Sequence, residues 1–261
     1  MATDNIFAEE RKNQIVEYVN QNTKATVGEL CDYFNVSQAT IRNDLRDLDA
    51  AGLISRVHGG AIANLSVNFE RNVSETAEQH TEEKNLLAHA ALKYIHDGDA
   101  IALDAGSTIY ALAKQLTVFR NLTVVTYDLK TASWLTQNSD VNVILAGGMV
   151  RKGFHYITGQ SAINTICDLH VDTAFIGCNG ADPAKGITTP SIETANLKRI
   201  MMQNAKRSVL LADSSKLGIV SFVHFADLNN IDCFLTDDNA AEEDLRAFRQ
   251  AGVQTEVILS N

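Results

Sequence analysis

Five short stretches in the later part of the chain hold residues able to grip or transform a small polar molecule. Each follows a strand-length apolar run. The first is Asp104-Ala105-Gly106-Ser107-Thr108. Gly106 permits a tight turn. The amides of residues 106–108 would be free at a helix start, and the Ser107 and Thr108 hydroxyls add donors, which together describe a phosphate cradle. The same residues can also serve as a plain helix cap. Gly147-Gly148 ends a second run, with Arg151 and Lys152 just beyond, and Asp182 closes the stretch "IGCNGAD". Glu193 stands near a helix start, and "LLADSSKLG" ends with Asp213, Ser215 and Lys216. Singly, each is a turn or a solvated charge. Jointly they supply amides and cations for a phosphate and carboxylates for hydroxyls, which suits a phosphorylated polyol.

Such residues converge only if the runs before them are strands of one sheet. Apolar, partly β-branched runs occupy residues 100–103, 122–126, 142–146, 172–177, 208–212, 231–236 and 253–258. Helix-length patterns lie between most of them, at 81–96, 107–117, 128–137, 190–205 and 240–250. Alternation of this kind predicts an α/β domain with parallel strands covered on both faces. Ligands in such sheets sit beyond the carboxyl ends of the strands.

Composition narrows the classes. The chain has 261 residues, 45% of them hydrophobic and 21% charged, enough for a sizeable core in two unequal domains. No apolar run reaches membrane-spanning length, and the N-terminus lacks a secretory pattern. Four cysteines are scattered singly with no metal-ligand spacing, which predicts reduced thiols in a cytoplasmic protein. Nothing in the sequence calls for a metal or a cofactor. The net charge of −10 speaks against bulk electrostatic binding to nucleic acid, but not against a small local reader.

The first sixty residues fit such a reader. "EERKNQIVEYVNQ" places Ile15, Tyr18 and Val19 on one helical face, and a turn "NTKA" follows. Thr26 precedes Glu29 by three residues, a capping box for a helix burying Val27, Leu30 and Phe34. Ser37 caps a third helix with Ile41, Leu45 and Leu48 inward and Gly52 as its stop. "LISRVHGGA" alternates like a strand and is expected to turn at Gly59-Gly60. Three helices and a hairpin make a winged helix-turn-helix, with the helix-turn-helix at about residues 24–43. The third helix shows Ser37, Gln38, Thr40, Arg42, Asn43 and Arg46 outward, types that suit base edges and phosphates. Arg56 and His58 stand on the wing. Residues 1–62 hold six Lys/Arg and nine Asp/Glu, so the reader is net −3 and must depend on a few placed arginines and on oligomer avidity. Residues 63–80 are polar and aperiodic, a linker in which Phe69 and Val73 could dock, and residues 81–261 form the large domain.

The motif V-S-x-x-T-I-R-x-D-L followed by L-x-x-x-G-L-I-x-R-x-H-G-G-A resembles the DNA-binding domain of DeoR-type bacterial repressors. Asn43 stands where that family commonly has a second arginine. The later motifs D-A-G-S-T, A-G-G, G-I-T-T and D-S-S-K-x-G resemble the sensor domain of the same family, whose fold is similar to ribose-5-phosphate isomerases and glucosamine-6-phosphate deaminases. The resemblance extends to "TYD" (126–128), where Thr-Asn-Ser or Thr-Asn-Asp is usual: it implies Asp128 as an effector residue, with Tyr127 the departure that would change which sugar fits. The resemblance implies a repressor of a carbohydrate-utilisation operon, with a phosphorylated sugar or sugar alcohol as effector. It implies operator DNA as partner and a homo-oligomer, dimer or tetramer. The "AALKYIHDGDAIALDAGST" stretch leans toward the repressors of glucitol and galactitol operons. An isomerase with an accessory DNA-binding domain is the alternative. Against it, the isomerase loop D-G-A-D-E stands here as "NGADP", two acids short, and K-G-G-G stands as "KGITT". A third reading gives the large domain an oligomerising role only.

Overall fold

The computed structural model describes residues 8–22, 24–63 and 79–259. The chain divides into two compact units, Met1–Arg71 and Asn72–Asn261. Most of the expected linker, with Phe69 and Val73, lies outside the described residues.

In the first unit, α1 (Ala8–Asn22), α2 (Val27–Phe34) and α3 (Gln38–Ala50) pack around Ile15, Val19, Leu30, Ile41 and Leu45. The Thr26 side chain accepts the Glu29 amide at 3.2 Å, while the Glu29 carboxylate accepts the Thr26 amide at 2.7 Å, which closes the capping box. Asn35, in the left-handed region, ends α2. The segment expected as a turn is in part a strand, β1 (Lys24–Thr26). It pairs antiparallel with β3 (Gly60–Ala63), which also pairs with β2 (Ile54–Val57). Lys24–Thr26 is too short to show its alternation, and its partner lies far along the chain. The wing turns at His58-Gly59 rather than at Gly59-Gly60, because Gly60 is already paired opposite Val57.

The second unit opens with α4 (Thr81–Ala91). Seven parallel strands follow: β4 (Ala100–Leu103), β5 (Thr123–Thr126), β6 (Asn142–Leu145), β9 (Val171–Ile176), β12 (Ala205–Leu211), β14 (Cys233–Asp237) and β15 (Gln254–Ile258). Their order is β15-β14-β12-β9-β4-β5-β6. All seven expected runs are strands of this sheet. Helices α5 (Ser107–Ala113), α6 (Leu129–Asn138), α7 (Gln160–Cys167), α8 (Ile192–Gln203) and α9 (Glu242–Gln250) form the crossovers. One core layer gathers Val125, Ile176, Leu210 and the stacked pair Phe234–Phe248; the other gathers Leu87, Leu103, Leu112 and Phe175. A hairpin, β7 (Met149–Val150) with β8 (Ile157–Thr158), follows β6. A small antiparallel sheet joins β10 (Gly180–Asp182), β11 (Gly186–Thr189) and β13 (Val223–Ala226).

The chain lays down β4, β5 and β6 outward in one direction, then returns to the other side of β4 for β9 and the rest. The carboxyl ends of β4 and β9 therefore diverge into opposite crossovers. That reversal is where sheets of this kind leave a crevice for a ligand.

Candidate functional site

In the first unit the candidate reading face is set by α3. Ser37 is its N-cap: the Oγ accepts the Thr40 amide at 3.2 Å and lies 2.9 Å from the Thr40 Oγ1. Both hydroxyls are thus engaged in starting the helix. Gln38, Arg42, Asn43 and Arg46 are exposed, and Arg42 donates to Gln38 Oε1 at 3.3 Å. Arg56 and His58 are exposed on the wing, where the Arg56 amide donates to Asp49 Oδ1 at 2.8 Å. Beneath this face lies a feature the sequence reading passed over. Arg11 of α1 grips the carboxylate of Asp44 with two nitrogens, at 2.7 and 3.3 Å, and both side chains are buried. Two parallel bonds of this kind fix orientation as well as distance.

In the second unit the strand ends hold a buried polar network. Asp104, just past β4, is fully buried. Its carboxylate accepts from the Tyr127 hydroxyl, from the Lys198 ammonium and, at 2.9 Å, from the Gly177 amide at the end of β9. Lys198 also donates to the Gly177 carbonyl at 3.0 Å. Burial, with Asp104 alongside, pushes the Tyr127 phenol well above its ordinary range, so it remains a donor. Asp104 is thereby held by three donors from within the protein. Burial likewise pushes the Cys178 thiol up to about 12 and keeps it protonated.

Beside this network α5 begins at Gly106, at φ +141, with no side-chain cap. The first amides of such a helix have no partner within it. A cleft opens here, lined by Thr81, Lys84, Asn85, Gly106, Ser107, Tyr110, Ala111, Lys114, Asp128 and Lys130. Asp128, the N-cap of α6, accepts the Lys130 amide at 2.8 Å and the Thr131 hydroxyl at 3.1 Å. Burial raises its pKa against the pull of those donors and of the Gly106 amide. Lys84 is buried, its ammonium donating to the Gln79 carbonyl, and burial together with nearby Lys216 lowers its pKa to about 8. Asp213, at the end of β12, is also buried. Its Oδ1 takes the Ser215 hydroxyl and amide, and Lys216 lies 3.8 Å away. Its Oδ2 is buried with no hydrogen-bond partner. Burial pushes the Asp213 pKa up, but Lys216, the Ser215 hydroxyl, His80 and Lys84 outweigh it and hold the group low.

The other expected residues fall into separate roles. Thr108 is half-buried on the first turn of α5. Glu193 is exposed, accepts the Ser191 hydroxyl at 2.9 Å and is held low by its own amide, by that hydroxyl and by Arg151. Arg151 stacks 4.2 Å from the Phe154 ring and donates to the Tyr156 hydroxyl. Gly147 and Gly148 are exposed past β6; a side chain on Gly148 would meet the Thr158 carbonyl at 2.4 Å, so the hairpin packing itself requires glycine there. Asp182 closes its own turn by accepting the Ala184 and Lys185 amides at 2.9 and 2.8 Å; like Thr108, Gly147, Gly148, Arg151, Glu193 and Lys216, it does not line the cleft. Lys84 and Lys198 carry parts of the candidate site that sequence reading did not assign, and Tyr127, expected to affect which sugar fits, is fully buried and donates to Asp104.

The description "DeoR-like helix-turn-helix domain" matches residues 11–67, and "DeoR C terminal sensor domain" matches residues 79–238. The chain belongs to the DeoR family. The family regulator GolR of Listeria innocua is 35% identical over 252 residues, 97% of this chain and 99% of that protein. The repressor GlcR of Bacillus subtilis is 36% identical over 89% of each chain. The glycerol-3-phosphate regulon repressor of Escherichia coli is 32% identical over 87% of this chain and 90% of its own. Among solved structures, a ribose-5-phosphate isomerase complex covers 56% of this chain and 55% of its own at 20% identity, with a TM-score of 0.39. These relatives are named as transcription regulators or repressors and align with most of this chain, which is a DNA-binding transcription regulator. Among the described residues no helix is long and apolar enough to cross a membrane.

Proposed function

We propose that the chain represses a carbohydrate-utilisation operon in the cytoplasm as a homo-oligomer, and that a phosphorylated sugar or sugar alcohol in the second unit controls it. The observation that carries this reading is the unpartnered, buried Asp213 Oδ2, whose charge neighbours are Lys216 and Lys84, Lys84 also lining the cleft at the uncapped start of α5. A buried acceptor with no donor costs roughly 1–3 kcal/mol, and a ligand hydroxyl would relieve that cost. The amides at Ser107 and Thr108 with the Lys84 ammonium suit the phosphate. A relative bearing the name of a glycerol-3-phosphate regulon points to the same ligand chemistry. Arg42, Gln38, Asn43 and Arg46, with Arg56 and His58, read the operator. Asp104 serves this site from behind, by fixing the β4 and β9 ends.

The effector binds the two global states of the regulator unequally, and that difference is what shifts the DNA-competent population. The test is a pair of variants assayed for both activities. Lys216→Ala weakens the thermal shift given by a panel of sugar and polyol phosphates and leaves operator binding intact. Arg42→Ala does the reverse. Loss of both activities in both folded variants would show the division of labour to be wrong. Turnover of a sugar phosphate at an ordinary enzymatic rate would overturn the sensor reading.

A further inference from the structure

The two edges of the seven-stranded sheet are finished differently. At β15, Glu256 pairs with Lys93 and accepts the Tyr94 hydroxyl at 2.6 Å, so that edge carries charge and is tied to the segment after α4. At β6 the sequence is Asn-Val-Ile-Leu, and from Val141 to Val150 there is no charged residue in a chain of net charge −10. β6 pairs with β5 on one side only. The amides of Asn142 and Ala146 bond to β5 neighbours at 2.9 Å, so the intervening Val143 and Leu145 amides point away from the sheet, and among the described residues neither has a partner. Ile144 and Leu145 are each 37% exposed, and Met149 and Val150 on the adjoining hairpin are 72% and 48% exposed. A bare, uncharged, apolar edge is a template for another strand.

We infer that β6 is an interface between two copies of this chain, joined edge to edge and antiparallel about a two-fold axis into one continuous sheet. A strand paired with itself in this way is complementary by construction, since each contact occurs twice. The charges at its ends agree. Asp140 precedes the uncharged stretch and Lys152 follows it; both are exposed and neither forms an ion pair among the described residues. Antiparallel pairing carries the acidic end of each copy toward the basic end of the other. A strongly basic or acidic partner would find nothing to hold between those ends. Two like-charged copies meet there with the least repulsion.

The experiment is sedimentation equilibrium and light scattering on the full-length protein and two variants. Leu145→Lys puts a charge on the edge, and Val143→Pro removes its outward amide and blocks strand addition. Wild type is expected to be a dimer or a multiple of one. Each variant is expected to associate at least tenfold more weakly while keeping its far-ultraviolet circular dichroism. If Val143→Pro does not fold, Leu145→Lys decides alone. A cysteine placed in turn at residues 142–145, in a Cys167→Ser background, is expected to give an oxidised covalent dimer from the position on the axis. A monomeric wild type, undiminished association in Leu145→Lys, or no cross-link from any of the four positions overturns the inference.

Discussion

The Lys198 ammonium reaches from α8 to the Asp104 carboxylate at the end of β4, and both groups are almost wholly shielded from water. Their ion pair sits where the strand order reverses, so it ties a crossover helix to the ends of β4 and β9. Removing one member strands the other. Lys198→Met is expected to cost about 3–5 kcal/mol of unfolding free energy, whereas replacing both, Lys198→Met with Asp104→Leu, is expected to cost less than the single change. Urea denaturation of the two proteins checks this; a double variant less stable than the single would refute it.

Lys84 gives a pH signature. Its pKa of about 8 lies below the ordinary 10.5, so the folded chain holds that proton less tightly than the unfolded chain. The cost is complete below pH 8 and vanishes as pH climbs toward 10.5. Relative to Lys84→Met, wild type is therefore expected to gain roughly 3 kcal/mol of stability across that window. The groups facing Lys84 are Lys216, Asp213 and Glu83. A phosphate added to them raises the pKa again, so calorimetry near pH 8.5 in buffers of different ionisation enthalpy is expected to show proton uptake on effector binding.

Ser37 separates folding from reading. Ser37→Ala is expected to lose about 1 kcal/mol, the worth of an N-cap. Ser37→Asp keeps a capping oxygen but sets a negative charge at the helix end expected to face DNA. It is expected to melt like wild type and to bind operator at least tenfold more weakly. Unchanged operator affinity would place DNA elsewhere.

Salt dependence tests how lean the reader is. Arg42, Arg46 and Arg56 are exposed on a unit whose first 62 residues are net −3. If a dimer used all of them on phosphates, the slope of log K against log salt would be roughly −5. A slope steeper than that would require cations from outside this face.

Much of this architecture was legible in the sequence because its signals are local. All seven strand runs and the capping box at Thr26–Glu29 rest on patterns a few residues long. The short strand β1 and helix α7 escaped because their identity comes from partners distant in the chain. Of the effector residues expected from the sequence, Gly106, Ser107 and Asp128 line the cleft, while the charged residues that support it went unread. Arg11, Asp44, Lys84 and Lys198 share one overlooked mark: each is a charged residue at an inward position of an amphipathic helix. Asp44 stands in the stripe with Ile41 and Leu48, Lys84 with Leu87 and Ala91, and Lys198 with Leu197 and Met201. A polar residue in an apolar stripe must find a partner, but the sequence does not say which.

The clamp between Arg11 and Asp44 has a consequence for how such a regulator changes over generations. It holds α3 from behind, through a residue that takes no part in the outward face. The angle of the helix is therefore independent of what Gln38, Arg42, Asn43 and Arg46 happen to be. Those four exposed positions can be exchanged within about ±0.5 kcal/mol of the original stability. A duplicated gene could acquire a new operator one substitution at a time, each intermediate still folded, while the sensing half continues to answer to its old metabolite.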